Sequence, residues 1–123
     1  MSKRKVLIVD DSEVLRLQLR GLLEGEGFEV LEAFDGMEGM ECFMKTPDIK
    51  LIICDVNMPR LDGLGLCELL SKDDRGAKVP VFMLTTEASY EMKERGKKVG
   101  VRAWLTKPFA PDKLVSAVKK IAA

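Results

Sequence analysis

The chain has 123 residues, 46% of them apolar and 33% charged, with twenty bases balancing twenty acids. That length is one domain with room for a sizeable core, and zero net charge argues against a nucleic-acid stripe. Three cysteines without CxxC spacing and no histidine leave no basis for a disulfide framework or a structural zinc site, and no apolar stretch approaches the length of a membrane span.

The opening Met-Ser-Lys-Arg-Lys leads straight into apolar residues, so no signal peptide is read and a cytoplasmic protein is expected. Apolar runs then alternate with helical patterns, which points to repeated βα units. Lys5–Asp10 reads as the first strand. Leu15, Leu19, Leu22 and Leu23 follow at helical spacing, from Ser12 as N-cap to a stop at Gly25–Gly27. Phe28–Ala33 alternates as a strand. Asp35-Gly36 is a turn signal, and a helix over Met37–Met44 ends before Pro47.

Leu51–Asp55 is apolar up to its last residue, as a central strand buried on both faces should be. Met58-Pro59 and Asp62-Gly63 mark a long loop, after which Leu64–Leu70 is helical. Val81–Leu84 is the fourth strand. The fourth helix, Ala88–Val99, offers only Ala88, Met92 and Val99 as clear apolar contacts. Gly96 inside it costs about 1 kcal/mol relative to alanine. Val101–Thr106 is the fifth strand, and Pro111 fits the first turn of a last helix bearing Leu114, Val115, Val118 and Ile121. The pattern is five strands and five helices joined by right-handed crossovers, read as a single domain over 1–123 with no output domain.

Five polar residues stand where apolar runs end. Asp10 and Asp11 close Val6–Val9, Asp55 closes Leu51–Cys54, Thr85 closes Val81–Leu84, and Lys107 follows Thr106. If the strands are parallel, all five meet at the carboxyl edge of one sheet, where open α/β sheets bind ligands. Three carboxylates there suit a hard cation such as Mg²⁺. A hydroxyl and an ammonium suit a phosphoryl group.

Val9-Asp10-Asp11-Ser12, Asp55-Val56-Asn57-Met58-Pro59 with Asp62-Gly63, then Thr85, then Lys107-Pro108-Phe109 together resemble the response-regulator receiver domain. The likeness runs the length of the chain and is nearest to the stand-alone chemotaxis type. It implies an α/β, doubly wound, flavodoxin-like (βα)5 sandwich with a parallel sheet of order 2-1-3-4-5. It implies Asp55 as the phosphorylated nucleophile, and Mg²⁺ held by Asp10, Asp11, Asp55 and the carbonyl of Asn57. Thr85 and Lys107 would contact the phosphoryl group, with Thr85 and Trp104 acting as the switch. The Lys107–Pro108 bond would be cis. Trp104 stands where Tyr or Phe is usual, and Thr86 where a smaller residue is frequent. Asn57 with Glu87 matches the chemotaxis member.

The implied partners are a histidine kinase as phosphodonor, a protein target at the flagellar motor switch or in a relay, and a phosphatase. No nucleic acid or membrane is implied, and a monomer is expected. The target would bind the fourth helix, fifth strand and fifth helix. Lys93, Arg95, Lys97, Lys98, Arg102, Lys119 and Lys120 lie in or near that face. Residues 1–62 carry 13 acids and 8 bases, whereas 63–123 carry 7 acids and 12 bases. That division fits either solvated helix faces or a basic docking surface in the second half. Such a domain loads and clears its own phosphate and is not an enzyme on a separate substrate. The rival readings are a phosphorelay shuttle, a phosphorylation-independent binding module, and a hydrolase. The second would lose an acid or the lysine. The third would want an acid at position 57, where asparagine stands.

Overall fold

The computed structural model describes residues 3–86 and 88–122. Its elements alternate as β1 (Lys5–Val9), α1 (Glu13–Gly25), β2 (Glu29–Ala33), α2 (Gly36–Lys45), β3 (Ile49–Cys54) and α3 (Gly63–Ser71). They continue as β4 (Val81–Thr85), α4 (Tyr90–Lys98), β5 (Val101–Thr106) and α5 (Pro111–Ile121). The strands form one parallel sheet in the order β2-β1-β3-β4-β5. This is the expected doubly wound, flavodoxin-like architecture. A single 3₁₀ turn at Gly76–Lys78, which the sequence pattern did not suggest, leads into β4.

The inner strands β1, β3 and β4 are apolar on both sides because helices cover both faces. Leu7, Val9, Ile52, Cys54 and Met83 point to one face, where Phe43 of α2 and Leu64, Leu66, Cys67 and Leu70 of α3 pack against them. Val6, Ile8, Leu51, Ile53, Phe82 and Leu84 point to the other, against Leu19 and Leu23 of α1 and Leu114 and Val118 of α5. The period of two along each strand thus divides one apolar run between two cores. Burial pushes the Cys67 thiol up to about 12 and also raises that of Cys54. Both cysteines are buried members of the core.

Helix starts follow their caps. Ser12, Asp35, Asp62 and Ser89 each accept a backbone N–H from the first turn of the helix they precede. Ser89 starts α4 at Tyr90, two residues later than its apolar residues suggested, and the helix ends at Lys98. β3 begins two residues early, at the buried Ile49. Asp10 and Asp55 stand one step beyond their strands. They stay in register because the Asp10 N–H donates to Ala33 O and the Asp55 N–H to Val9 O, each at 3.0 Å. Among the described residues, no helix is long and apolar enough to cross a membrane.

Candidate active site

The sheet order places β1, β3, β4 and β5 so that their carboxyl ends open on one hollow. Asp10 and Asp11 follow β1, Asp55 follows β3, Thr85 ends β4 and Lys107 follows β5. One carboxylate oxygen from each of Asp10, Asp11 and Asp55 lies within 4.8 Å of the others. Asp10 and Asp55 are buried, whereas Asp11 is exposed, so the cluster faces solvent on one side.

Lys107 links the two buried acids. Its Nζ donates to Asp10 Oδ2 at 2.8 Å and to Asp55 Oδ2 at 3.0 Å. Burial pulls the ammonium toward deprotonation, but the hydrogen bonds to Asp10 and Asp55 outweigh that and hold its pKa above the ordinary 10.5. The remaining oxygens are also oriented. Asp10 Oδ1 accepts from the Ser12 N–H at 2.8 Å, and Asp55 Oδ1 from the Asn57 N–H at 3.3 Å. Each buried carboxylate therefore has both oxygens placed by a donor. The Lys107–Pro108 bond is cis, and the Lys107 N–H donates to the Thr85 carbonyl at 3.0 Å. Thr85 is buried beside it.

The donor set fits a divalent cation. All three groups are hard oxygens, one is solvent-facing, and three negative charges confront a single ammonium. Asp10, Asp11, Asp55 and the Asn57 carbonyl are the residues that would hold Mg²⁺, which favours one or two carboxylates with water and phosphate oxygens.

Trp104 is half-buried on β5 and, like Met92 and Val99 of the α4 region, packs against the core cluster of that sheet face. Gly96 admits it: a Cβ there would lie 2.7 Å from Trp104 Cζ2. The glycine that weakens α4 in sequence terms is thus the seat of the indole. All seven expected basic residues of this face are exposed. Arg95 pairs with Glu68, Lys97 with Glu94 and Lys119 with Glu26. Among the described residues, Lys93, Lys98, Arg102 and Lys120 make no ion pair. The expected pairing of Asn57 with Glu87 falls outside the described residues. Thr86 is exposed at the rim.

Two supporting arginines carry no sequence signal. The Arg16 guanidinium donates to the Asp10 carbonyl and to Glu32, tying α1 and β2 to the acid pair. Arg60 forks onto the buried Asp35. Neither pairing has a local spacing signal, since each depends on the sheet order.

This fold, with an acid-lined carboxyl edge and a lysine reaching into it, defines a doubly wound signalling receiver. The chain belongs to the response regulator receiver domain family, whose model matches residues 6–119. It is 38% identical over 111 residues to the chemotaxis protein CheY1 of Helicobacter pylori, covering 89% of this chain and 90% of that one. The Vibrio cholerae chemotaxis protein CheY4 superposes with a TM-score of 0.91 at 38% identity, covering 98% of this chain and 99% of that one. The chain is also 33% identical over 121 residues to a probable transcriptional regulator, ycf27, of Porphyridium aerugineum. There it covers 98% of this chain but spans about half, 49%, of the relative.

Proposed function

We propose that this receiver is activated by phosphorylation of Asp55 and signals by binding a protein target. The observation that carries the reading is the Lys107 ammonium held between Asp10 and Asp55, beside the open carboxylate of Asp11. A buried nucleophile with its charge half neutralised and one side open suits in-line phosphoryl transfer, which asks mainly for positioning and charge stabilisation. The donor is a phosphohistidine on a partner kinase. An Asp55 oxygen bonds to phosphorus as the P–N bond breaks. The imidazole leaves with the electron pair and takes a proton from solvent. Mg²⁺ held by Asp10, Asp11, Asp55 and the Asn57 carbonyl would supply positive charge against the phosphoryl oxygens. Lys107 exchanges its Asp55 contact for a phosphoryl oxygen, and the Thr85 hydroxyl donates to another.

A cleft of about 680 Å³ between α1 and the β5–α5 loop supports a docking place for the donor. It is lined by Leu15, Leu22, Pro108, Phe109 and Pro111 and reaches Lys107. The output runs through Thr85 to Trp104 and the exposed basic residues of α4, β5 and α5. The weakly anchored α4 suits such a switch, because moving elements come from the low-stability end of a structure. The chemotaxis names of two relatives support a target in chemotaxis, and the proposed one is the flagellar motor switch.

Incubation with acetyl phosphate and Mg²⁺ tests the reading. Intact-mass measurement should show one added phosphoryl group, lost when EDTA is present and absent in Asp55→Asn. Labelling of Asp55→Asn at the wild-type level would refute it.

A further inference from the structure

Arg60 lies in the loop between β3 and α3, where it adopts φ 65°, a backbone conformation that a β-carbon disfavours. Its side chain is 56% exposed, yet its head enters a carboxylate that is 0% exposed. Nε donates to Asp35 Oδ2 at 2.6 Å and Nη2 to Asp35 Oδ1 at 3.1 Å. Asp35 also caps α2, accepting from the Glu38 N–H at 2.9 Å. Capping asks for one acceptor oxygen and no arginine. A planar fork on both oxygens adds direction as well as energy. Arg60 also lies over the Phe34 ring, 5.6 Å from its centroid.

The same loop is pinned beside this fork. The Gly36 N–H donates to Leu61 O at 3.0 Å, and the Gly63 N–H to Val56 O at 2.9 Å. A β-carbon at position 36 would collide with the Leu61 carbonyl oxygen, so the two loops meet backbone to backbone. Between these pins lies Asn57, whose N–H donates to Asp55 Oδ1. Arg60 and Asn57 thus share one short loop that is fastened to Asp35, Gly36 and Asp55 by directed bonds.

We propose that Arg60 is a positioning residue for the site: its fork on Asp35 holds loop 56–62 where Asn57 can orient the Asp55 carboxylate and face a bound cation. This rests on the functional reading above. Partners that orient metal ligands without touching the metal typically change affinity by about 10- to 100-fold when removed.

The test compares wild type with Arg60→Asn, Arg60→Lys and Gly36→Ala. Asparagine tolerates the backbone angle but lacks the fork, lysine keeps only the charge, and Gly36→Ala pushes the loops apart without touching Arg60. Two quantities are read besides labelling: the Mg²⁺ dissociation constant by calorimetric titration, and amide exchange of loop 56–62 in metal-free protein. Arg60→Asn should raise the dissociation constant by about tenfold or more and speed exchange in 56–62. It should leave exchange in β1 and β3 unchanged. Arg60→Lys should fall between, and Gly36→Ala should move both quantities in the same direction as Arg60→Asn. A merely structural arginine would lower the melting temperature and leave Mg²⁺ affinity alone. Binding by Arg60→Asn within twofold of a wild type that does bind Mg²⁺ would overturn this inference only. A wild type that binds no Mg²⁺ would overturn the functional reading and this inference with it.

Discussion

Replacing Lys107 with alanine should destabilise the metal-free protein and enlarge the stabilisation that Mg²⁺ brings. The ammonium lies 2.8 Å from Asp10 and 3.0 Å from Asp55. At an effective dielectric near 20, each contact is worth about 6 kcal/mol of attraction before desolvation is counted. Its loss exposes Asp10 to Asp55 across at most 4.8 Å, a repulsion of about 3.5 kcal/mol or more at the same dielectric. Much of the gross attraction only offsets burial, so the expected net loss is that of one partner removed from a buried pair, about 3–5 kcal/mol. Unfolding entropy for a chain of this length is about 0.26 kcal/mol/K, so the melting temperature should fall by roughly 10–20 °C in chelator at pH 7. Mg²⁺ should then raise it more in Lys107→Ala than in wild type, because the cation no longer competes with an ammonium for the same oxygens. The pH dependence has a definite sign. Because the folded-state pKa of Lys107 is raised, its stabilisation is complete below 10.5 and disappears as pH climbs through the higher folded value. Wild-type and variant melting curves should therefore converge only above that range. Calorimetry checks all three points. A metal-free variant melting within about 3 °C of wild type would refute the charge argument, as would an Mg²⁺ increment no larger than the wild-type one.

Millimolar Mg²⁺ should raise the wild-type melting temperature by the binding linkage RT ln(1 + [L]/Kd), and Asp11→Ala should remove most of that rise. Differential scanning fluorimetry reads it, and an equal rise in both proteins would exclude Asp11 from the cation site. Beryllofluoride with Mg²⁺ should change the emission and acrylamide quenching of Trp104, the sole tryptophan. Thr85→Ala should bind the anion with emission nearer the resting value, whereas identical wild-type spectra at proven saturation would remove Trp104 from the switch. Gly96→Ala gains about 1 kcal/mol of helix propensity but places a methyl 2.7 Å from the indole. The clash should win: Trp104 should become more accessible to acrylamide, and unchanged quenching would show that α4 gives way instead.

Much of this molecule was legible because local chemistry and topology agree. Val6–Val9 and Leu51–Cys54 are apolar without interruption, so they read as strands, the second as a central one, and the acids after them stand out as the first polar residues at the sheet edge. The proline at 111 and the serine at 12 marked helix starts through chemistry confined to a few residues, whereas the apolar pattern began α4 two residues ahead of the start that Ser89 caps. What was not legible depends on partners distant in sequence. Asp35-Gly36 read as a turn, yet Asp35 is a fully buried cap whose arginine arrives from 25 residues away. Gly96 read as a defect of α4 until Trp104 of β5 lay against it. Arg16 carries no signal in the helical spacing of α1, yet it holds the Asp10 carbonyl. In each case the deciding contact crosses between elements whose adjacency follows from strand order and leaves no mark in local spacing.

The most direct test of the central claim is to locate the phosphoryl group chemically. After acetyl phosphate treatment, borohydride reduces an aspartyl phosphate to homoserine, leaving a stable mark at the modified residue. Cleavage after Lys50 and Arg60 releases residues 51–60, in which Asp55 is the sole acidic side chain. The account predicts the homoserine mass at position 55 in that peptide and unmodified peptides carrying Asp10 and Asp11. A mark at Asp10 or Asp11, or an unmodified 51–60 peptide from fully labelled protein, would contradict it.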